Sequence, residues 1–273
     1  MRLLVVGASG LLGSNAVTAA DEAGHHVFGT YRSESPRLPG ELSHLDLPDA
    51  NRVRTLLDSI EPAAVINCAA MTDVDGCETD PGQAHAVNAD GAEHVARAAA
   101  SSDAALIHTS TDYVFSGDET SPYPETAEPD PKQVYGESKF AGERRIRETQ
   151  PDPLIARLSF VYGRSLPEGS ISGFPSWVLE KARDGEEIPL FTDQRVSPSY
   201  AKATAKTLLD LLRADQQGTF NITSQSCVTP YEFGELIVED AGFEDATLTE
   251  SSMKDIDRDA ERQQYTCLDS WAV

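Results

Sequence analysis

The chain has 273 residues, with 45 acidic against 22 basic side chains, a formal net charge of −23 and a pI near 4.5. Such a surface repels nucleic acid and anionic membranes, which excludes both as partners. At 40% hydrophobic residues the chain can fill a packed core, and no apolar run reaches the ~18 residues of a membrane span. The N-terminal MRLLVVGASG enters a glycine turn instead of a signal-peptide run, so a cytoplasmic location is expected. Acidic residues are dispersed along the whole chain, and dispersed charge of this size is costly unless salt screens it. A halophilic source is therefore expected. Cysteines stand at 68, 77, 227 and 267 without a CxxC pair or nearby histidines, so neither zinc nor a disulfide framework is expected. Cys68, in an apolar run, reads as a small core hydrophobe.

In chain order, short apolar runs alternate with helical patterns. Residues 2–7 predict a strand, and 11–24 a helix ending on Gly24 as its terminal glycine. Strands follow at 26–32 and, briefly, 43–47. Residues 49–60 predict a helix opening on an acidic cap, and 63–70 (AAVINCAA) a buried strand. Pro81 opens one long helix over 81–102, before a strand at 104–111, a helix at 134–150 and a strand over 153–163. Beyond 163 the rhythm loosens. Helices are expected at 176–184 and 199–213 with EIPLF (187–191) between them, and GTFNI (218–222) and TPYEFGELIVEDAG (229–242) complete a mixed C-terminal part. The alternation predicts an α/β fold: a Rossmann-type, doubly wound parallel sheet over residues 1–163. A smaller mixed C-terminal lobe over 164–273 is expected to bind substrate, with some of its segments returning to the first domain.

The turn VVGASGLLG places Gly7, Gly10 and Gly13 between the first strand and the first helix. The first glycine permits the tight turn, and the second lets backbone approach a pyrophosphate. Free N–H groups at the helix start attract that anion. Ser9, Leu11 and Leu12 complete this cradle. At the end of the second strand, where NAD sites place an acid, stand Arg32 and Ser33. An arginine there suits a 2′-phosphate, hence NADPH, with NADH as the second choice; the plainer alternative is a surface arginine. Asp46 and Leu47 end the third strand beside the expected adenine. Small residues Cys68, Ala69 and Ala70 end the fourth and let a cofactor lie close.

Only six lysines occur, and one of them, Lys139, follows Tyr135 by four residues in VYGESKFAGE. On a helix the two share a face. The run TST (109–111) ends the fifth strand at the edge where open α/β sheets bind ligands. Tyr135 then reads as a proton donor to a carbonyl, with a pKa lowered from ~10 by the Lys139 ammonium. Lys139 also reaches the nicotinamide ribose. Thr111 hydrogen-bonds the substrate oxygen. Asn88 reads as structural within its helix, and Glu137 and Glu143 as solvated helix charge. Trp177 reads as core.

These motifs resemble an extended short-chain dehydrogenase/reductase, and most closely its dTDP-4-dehydrorhamnose reductase branch. The resemblance is carried by HTSTDYVFSGDETSPYPETAEPDPKQVYGESKFAGE (108–143), INCAAMTDVDGCETDPGQAHAVNADG (66–91) and, more loosely, DQRVSPSYA (193–201). It implies NAD(P)H-dependent reduction of the C4 ketone of a nucleotide-linked 4-keto-6-deoxy sugar, and it allows a homodimer. It also implies a sugar pocket lined by Thr72, Val74, Asp112, Tyr113 and Phe160, the last standing where the family often has tryptophan. Arg262 lies in RQQYTCLD, where the family has RPxxSxLD. Two alternatives remain at this level. One is a sugar-nucleotide epimerase or dehydratase, although Tyr113 and not glutamate follows Asp112. The other is a non-catalytic subunit resembling the regulatory subunit of methionine adenosyltransferase.

The charge itself gives a test. Like charges repel over roughly 30 Å at 0.01 M salt but over about 3 Å at 1 M. Melting temperature and activity should therefore rise together from dilute buffer into molar KCl. A flat melting temperature, with activity highest in dilute buffer, would show that the acidity is ordinary solubility charge.

Overall fold

Strand β1 (Arg2–Val6) divides its side chains between two apolar layers: Leu3 and Val5 face one, Leu4 and Val6 the other. That two-sided burial is what a parallel sheet covered by helices requires. The computed structural model describes residues 1–166 and 169–270. From β1 the chain runs through α1 (Leu11–Glu22), β2 (His26–Tyr31), β3 (Glu41–His44), α2 (Ala50–Ile60) and β4 (Ala64–Asn67). Three helical pieces follow, α3 (Val74–Thr79), α4 (Pro81–His85) and α5 (Gly91–Ser101), then β5 (Ala105–Thr111), α6 (Val134–Thr149) and β6 (Leu154–Leu158). The remainder comprises β7 (Val161–Ser165), β8 (Ser170–Ser172), α7 (Phe174–Asp184), β9 (Ile188–Phe191), β10 (Ser199–Tyr200), α8 (Ala201–Arg213), β11 (Gly218–Asn221), α9 (Pro230–Asp240) and β12 (Leu248–Ser251).

The main sheet has the order β11-β6-β5-β4-β1-β2-β3, and each neighbouring pair is parallel. The expected doubly wound sheet is thus present. It is extended at one edge by β11, while α8 packs on α1, so two later segments return to the first unit. One core layer includes Leu3, Val17, Ile107 and Leu208; the other includes Leu4, Leu57, Val95 and Ile146. A smaller cluster of Val178, Ile188, Leu190 and Val238 holds α7, α9, β9 and β12 together. Among the described residues, no helix is long and apolar enough to cross a membrane.

Several local features differ from the sequence reading. The expected helix over 81–102 is interrupted by a π-helical turn at Ala86–Asp90, which carries Asn88. The strand expected over 153–163 is two strands, broken at Phe160, whose φ of 45° lies in the left-handed region. Cys227 and Cys267 form a disulfide, their Cα atoms 5.6 Å apart. They are 40 residues apart in sequence, so only the tertiary fold reveals the pair. Glu143 is not a solvated helix charge. It is fully buried and takes hydrogen bonds from Arg157 Nε at 3.0 Å and Nη2 at 2.8 Å, and from Arg147 at 3.1 Å. Burial alone would raise its carboxyl pKa; the Arg157 hydrogen bonds and charge outweigh that and hold it below the ordinary value.

This pair joins α6 to β6 inside the protein. Removing one partner strands the other charge, which typically costs about 3–5 kcal/mol. Arg157→Met should therefore destabilise by that amount in denaturant titration, and Arg157→Met combined with Glu143→Leu should recover part of it. A single-variant loss below about 1 kcal/mol would contradict the description of a buried, interdependent pair.

Candidate active site

The glycine turn is built as tightly as its sequence demands. Gly7 has φ 82°, and a Cβ there would lie 2.8 Å from backbone atoms of Ala69. A Cβ on Gly13 would lie 2.0 Å from the Gly7 carbonyl oxygen. Thr30 at the end of β2 pins the turn, its hydroxyl accepting from Gly7 N at 3.1 Å and its carbonyl from Ala8 N at 2.7 Å. Helix α1 starts at Gly10 with no side-chain cap and no acid in its first turn. Among the described residues its leading N–H groups, from Leu11 to Gly13, have no hydrogen-bond partner, which leaves them open to an anion. Ser9 and Gly10 are exposed, whereas Leu12 and Gly13 are buried beneath them. Arg32 and Ser33 lie exposed just past β2, and Asp46 is exposed after β3. Leu47 belongs to the core, with its carbonyl bonded to His94 Nδ1 at 2.9 Å. Cys68, Ala69 and Ala70 follow β4 with partial exposure; Cys68 packs against the core layer, and the loss of water around its thiol pushes that group up to about 12.

Tyr135 and Lys139 lie on α6, one turn apart, beside the end of β5. The helix reaches that edge because two of its residues lack a side chain. A Cβ on Gly136 would fall 2.1 Å from the Tyr113 carbonyl oxygen, and one on Gly142 would fall 2.3 Å from that of Asn88. Gln133 caps the helix, its side-chain oxygen accepting from Gly136 N at 3.1 Å, and its amide donates to Gln263 at 3.2 Å. Lys139 is only 2% exposed and donates to the Thr109 carbonyl at 2.7 Å. Burial lowers its pKa to about 8, with Glu143 opposing. His108 Nε2 lies 3.4 Å from the same ammonium nitrogen. Asn67 fixes the other side of that ring: its oxygen accepts from Ala69 N, so its amide nitrogen faces His108 Nδ1 at 3.2 Å. Burial, reinforced by the Lys139 and Arg147 charges, holds His108 well below its usual value and therefore neutral.

Thr111 and Asp112 end β5, and both are buried. Thr111 Oγ1 donates to Asp112 Oδ1 at 3.0 Å and accepts from Tyr113 N at 3.2 Å. Ser159 donates to Asp112 Oδ2 at 2.7 Å. Burial raises Asp112 to about 6 against the hydrogen bonds from Ser159, Thr266 and Thr111. Burial also raises Tyr135, and the Thr111 hydrogen bond opposes it. The sequence reading had Tyr135 lowered by Lys139. Without a ligand the direction is upward, because removing water outweighs the neighbouring groups. Tyr113 packs edge-on against Tyr135 with ring centroids 5.7 Å apart.

The residues assigned to a sugar pocket are dispersed around this edge. Thr72 is exposed, and Val74 is half-buried where α3 begins. Phe160 packs against Phe174 and Phe233, with centroids 5.4 and 6.2 Å away. Trp177 is 37% exposed at the margin of this aromatic group, not core. Asn88 closes on Met71 in both directions and donates to Ser138 at 3.0 Å, which ties the π-helical turn to α6. Sequence reasoning missed His108, Ser159, Gln133 and the Asp75–Arg262 pair at 2.7 Å. For His108 a signal was available: a polar residue inside an apolar strand run, as it is in ALIHTST.

Comparison with known proteins fits this geometry. The family model described as the RmlD substrate binding domain matches residues 1–273. A Haloferax volcanii protein named "Probable low-salt glycan biosynthesis reductase Agl14" is 48% identical over 98% of this chain and 90% of its own length. The dTDP-4-dehydrorhamnose reductase of Mycobacterium tuberculosis is 33% identical over 100% of this chain and 86% of its own. Among solved structures, dTDP-4-dehydrorhamnose reductase from Bacillus anthracis in complex with NADP superposes with a TM-score of 0.85 at 28% identity, covering 98% of this chain and 90% of that one. The chain therefore belongs to the dTDP-4-dehydrorhamnose reductase branch of the extended short-chain dehydrogenase/reductases.

Proposed function

We propose that the protein is an NADPH-dependent reductase of the C4 ketone of a nucleotide-linked 4-keto-6-deoxy sugar, with NADH as a weaker alternative. One observation carries this reading. Tyr135 and Lys139 stand at the carboxyl edge of the sheet beside Thr111, on the same edge as the uncapped start of α1. A dinucleotide fits that edge. The α1 N–H groups receive its pyrophosphate, the close contact of Gly7 with Ala69 leaves the floor free of side chains, and Arg32 faces the 2′-phosphate. When bound, the cofactor supplies a hydride.

The chain supplies the rest. Tyr135 gives a proton to the sugar oxygen as negative charge develops there, and Thr111 lies beside it to share that charge. Lys139, held by Thr109, keeps a positive charge one turn from the phenol, which favours the phenolate left behind. Its pKa near 8 leaves it mostly protonated at neutral pH. The lobe carrying α7 and α9 closes the sugar side, where Phe160 packs on Phe174 and Phe233, and Tyr113 beside Tyr135 forms the facing apolar wall. The relatives named above, a glycan biosynthesis reductase from a haloarchaeon and dTDP-4-dehydrorhamnose reductases, support this substrate class. The haloarchaeal relative also supports the halophilic reading of the charge.

Two variants test the assignment. Tyr135→Phe keeps the ring and removes the proton, so kcat should fall by roughly 10²–10⁴ while NADPH binding by fluorescence titration changes little. Retention of more than about a tenth of wild-type kcat would remove Tyr135 from this role. Arg32→Ala should weaken NADPH binding by about 1.5–3 kcal/mol and NADH binding far less. Equal losses for the two cofactors would show that Arg32 does not read the 2′-phosphate.

A further inference from the structure

Asp112 is a buried carboxylate served only by hydroxyl groups and its own backbone. Thr111 donates to Oδ1 at 3.0 Å and Ser159 to Oδ2 at 2.7 Å. Among the described residues no cation pairs with it. Arg157 is committed to Glu143, Arg262 to Asp75, and Lys139 to the Thr109 carbonyl. A carboxylate kept merely for structure is normally paired when buried. The charge of Asp112 instead falls on Tyr113 beside it and on Tyr135 from α6. Arg262, Arg258 and Asp75 also act on Tyr113.

The Thr111 hydroxyl has one proton and two claimants. One is Asp112 Oδ1. The other is the Tyr135 phenol, whose pKa the Thr111 hydroxyl pulls down against burial. While Asp112 is ionised, the proton points toward the carboxylate and away from the reacting oxygen. Resting on the reductase reading above, we propose that Asp112 acts through Thr111, not on the sugar, as a positioning residue. Protonating its carboxyl releases the Thr111 proton toward Tyr135 and the substrate oxygen and switches the site into its faster reducing form. No bond to carbon changes in this step: Asp112 gains a proton from solvent, and the Thr111 O–H rotates from one acceptor to the other.

The sign follows directly. Asp112 has a pKa raised to about 6, so kcat for ketone reduction should climb as pH falls through that value. Gaining a donor at a developing oxyanion is worth about 10²–10³ when complete, so a rise of tenfold or more is expected. Asp112→Asn cannot titrate and should flatten this step while a Tyr135 limb at higher pH remains. Ser159→Ala removes a donor to the ionised form, so the step should move up by about one pH unit. A step that persists unchanged in Asp112→Asn, or that Ser159→Ala leaves in place, would overturn the proposal. A second readout needs no turnover. In carbon-13 NMR of aspartate-labelled full-length protein, the Asp112 carboxyl, assigned by its loss in Asp112→Asn, should titrate higher in Thr111→Val than in wild type. An unchanged titration would overturn the proposal even if wild-type protein reduced no 4-keto sugar, an outcome that would separately refute the reductase reading.

Discussion

The site depends on one steric constraint: α6 must lie closer to its neighbours than a side chain would allow. The Tyr113 carbonyl occupies the place of a Cβ on Gly136, and the Asn88 carbonyl that of a Cβ on Gly142. Those two contacts set the height of the helix against the edge of β5, and so place Tyr135 beside Thr111 and Lys139 beneath Thr109. The π-helical turn at Ala86–Asp90 is part of the same arrangement, since Asn88 both receives Gly142 and bonds Ser138. Gln133 and Gln263 then fix where the helix starts. Two side chains four residues apart are only as well placed as the helix that carries them.

Electrostatics follow from that geometry. The interior of this acidic protein holds few charges, and they are held in different ways. Glu143 is answered by two arginines, Lys139 by a carbonyl and a distant carboxylate, Asp112 by hydroxyls and its own backbone. Where a full counter-charge is present the group stays ionised. Where it is absent, burial shifts the group toward neutrality, Lys139 to about 8 and Asp112 to about 6. Groups poised near neutral pH therefore gather at the edge that chemistry would use, and the arginine-paired carboxylate lies behind it.

Much of this was legible in the sequence, for local reasons. Short, near-continuous apolar runs alternating with helices, and a glycine turn at the first strand–helix junction, specify the parallel sheet and its anion end. Helical spacing puts Tyr135 and Lys139 on one face, and TST at the end of the fifth strand gives that pair its meaning. Features that depend on distant segments were not legible. The Cys227–Cys267 disulfide, the Arg157–Glu143 pair and the Ser159–Asp112 contact each join residues that no periodicity relates. Glu143 looks like helix surface because charge usually is; the arginine that reverses this lies on β6. Phe160 was noticed for its type, but its left-handed backbone, which turns β6 into β7, has no sequence mark such as glycine. The upward direction of Tyr135 was missed for a related reason. Spacing shows the lysine but not how much water the fold removes.

The central claim is net hydride delivery to a sugar carbon by an exchanging cofactor. Its most direct test is to incubate the protein, in molar KCl, with NADPH deuterated at C4 of the nicotinamide and a nucleotide-linked 4-keto-6-deoxy sugar, and then to read the product by NMR. The account predicts deuterium at sugar C4, one per NADP⁺ formed. Label that never reaches C4, or product formed with no net cofactor oxidation, would contradict it and point to an epimerase-type cycle or to a non-catalytic protein.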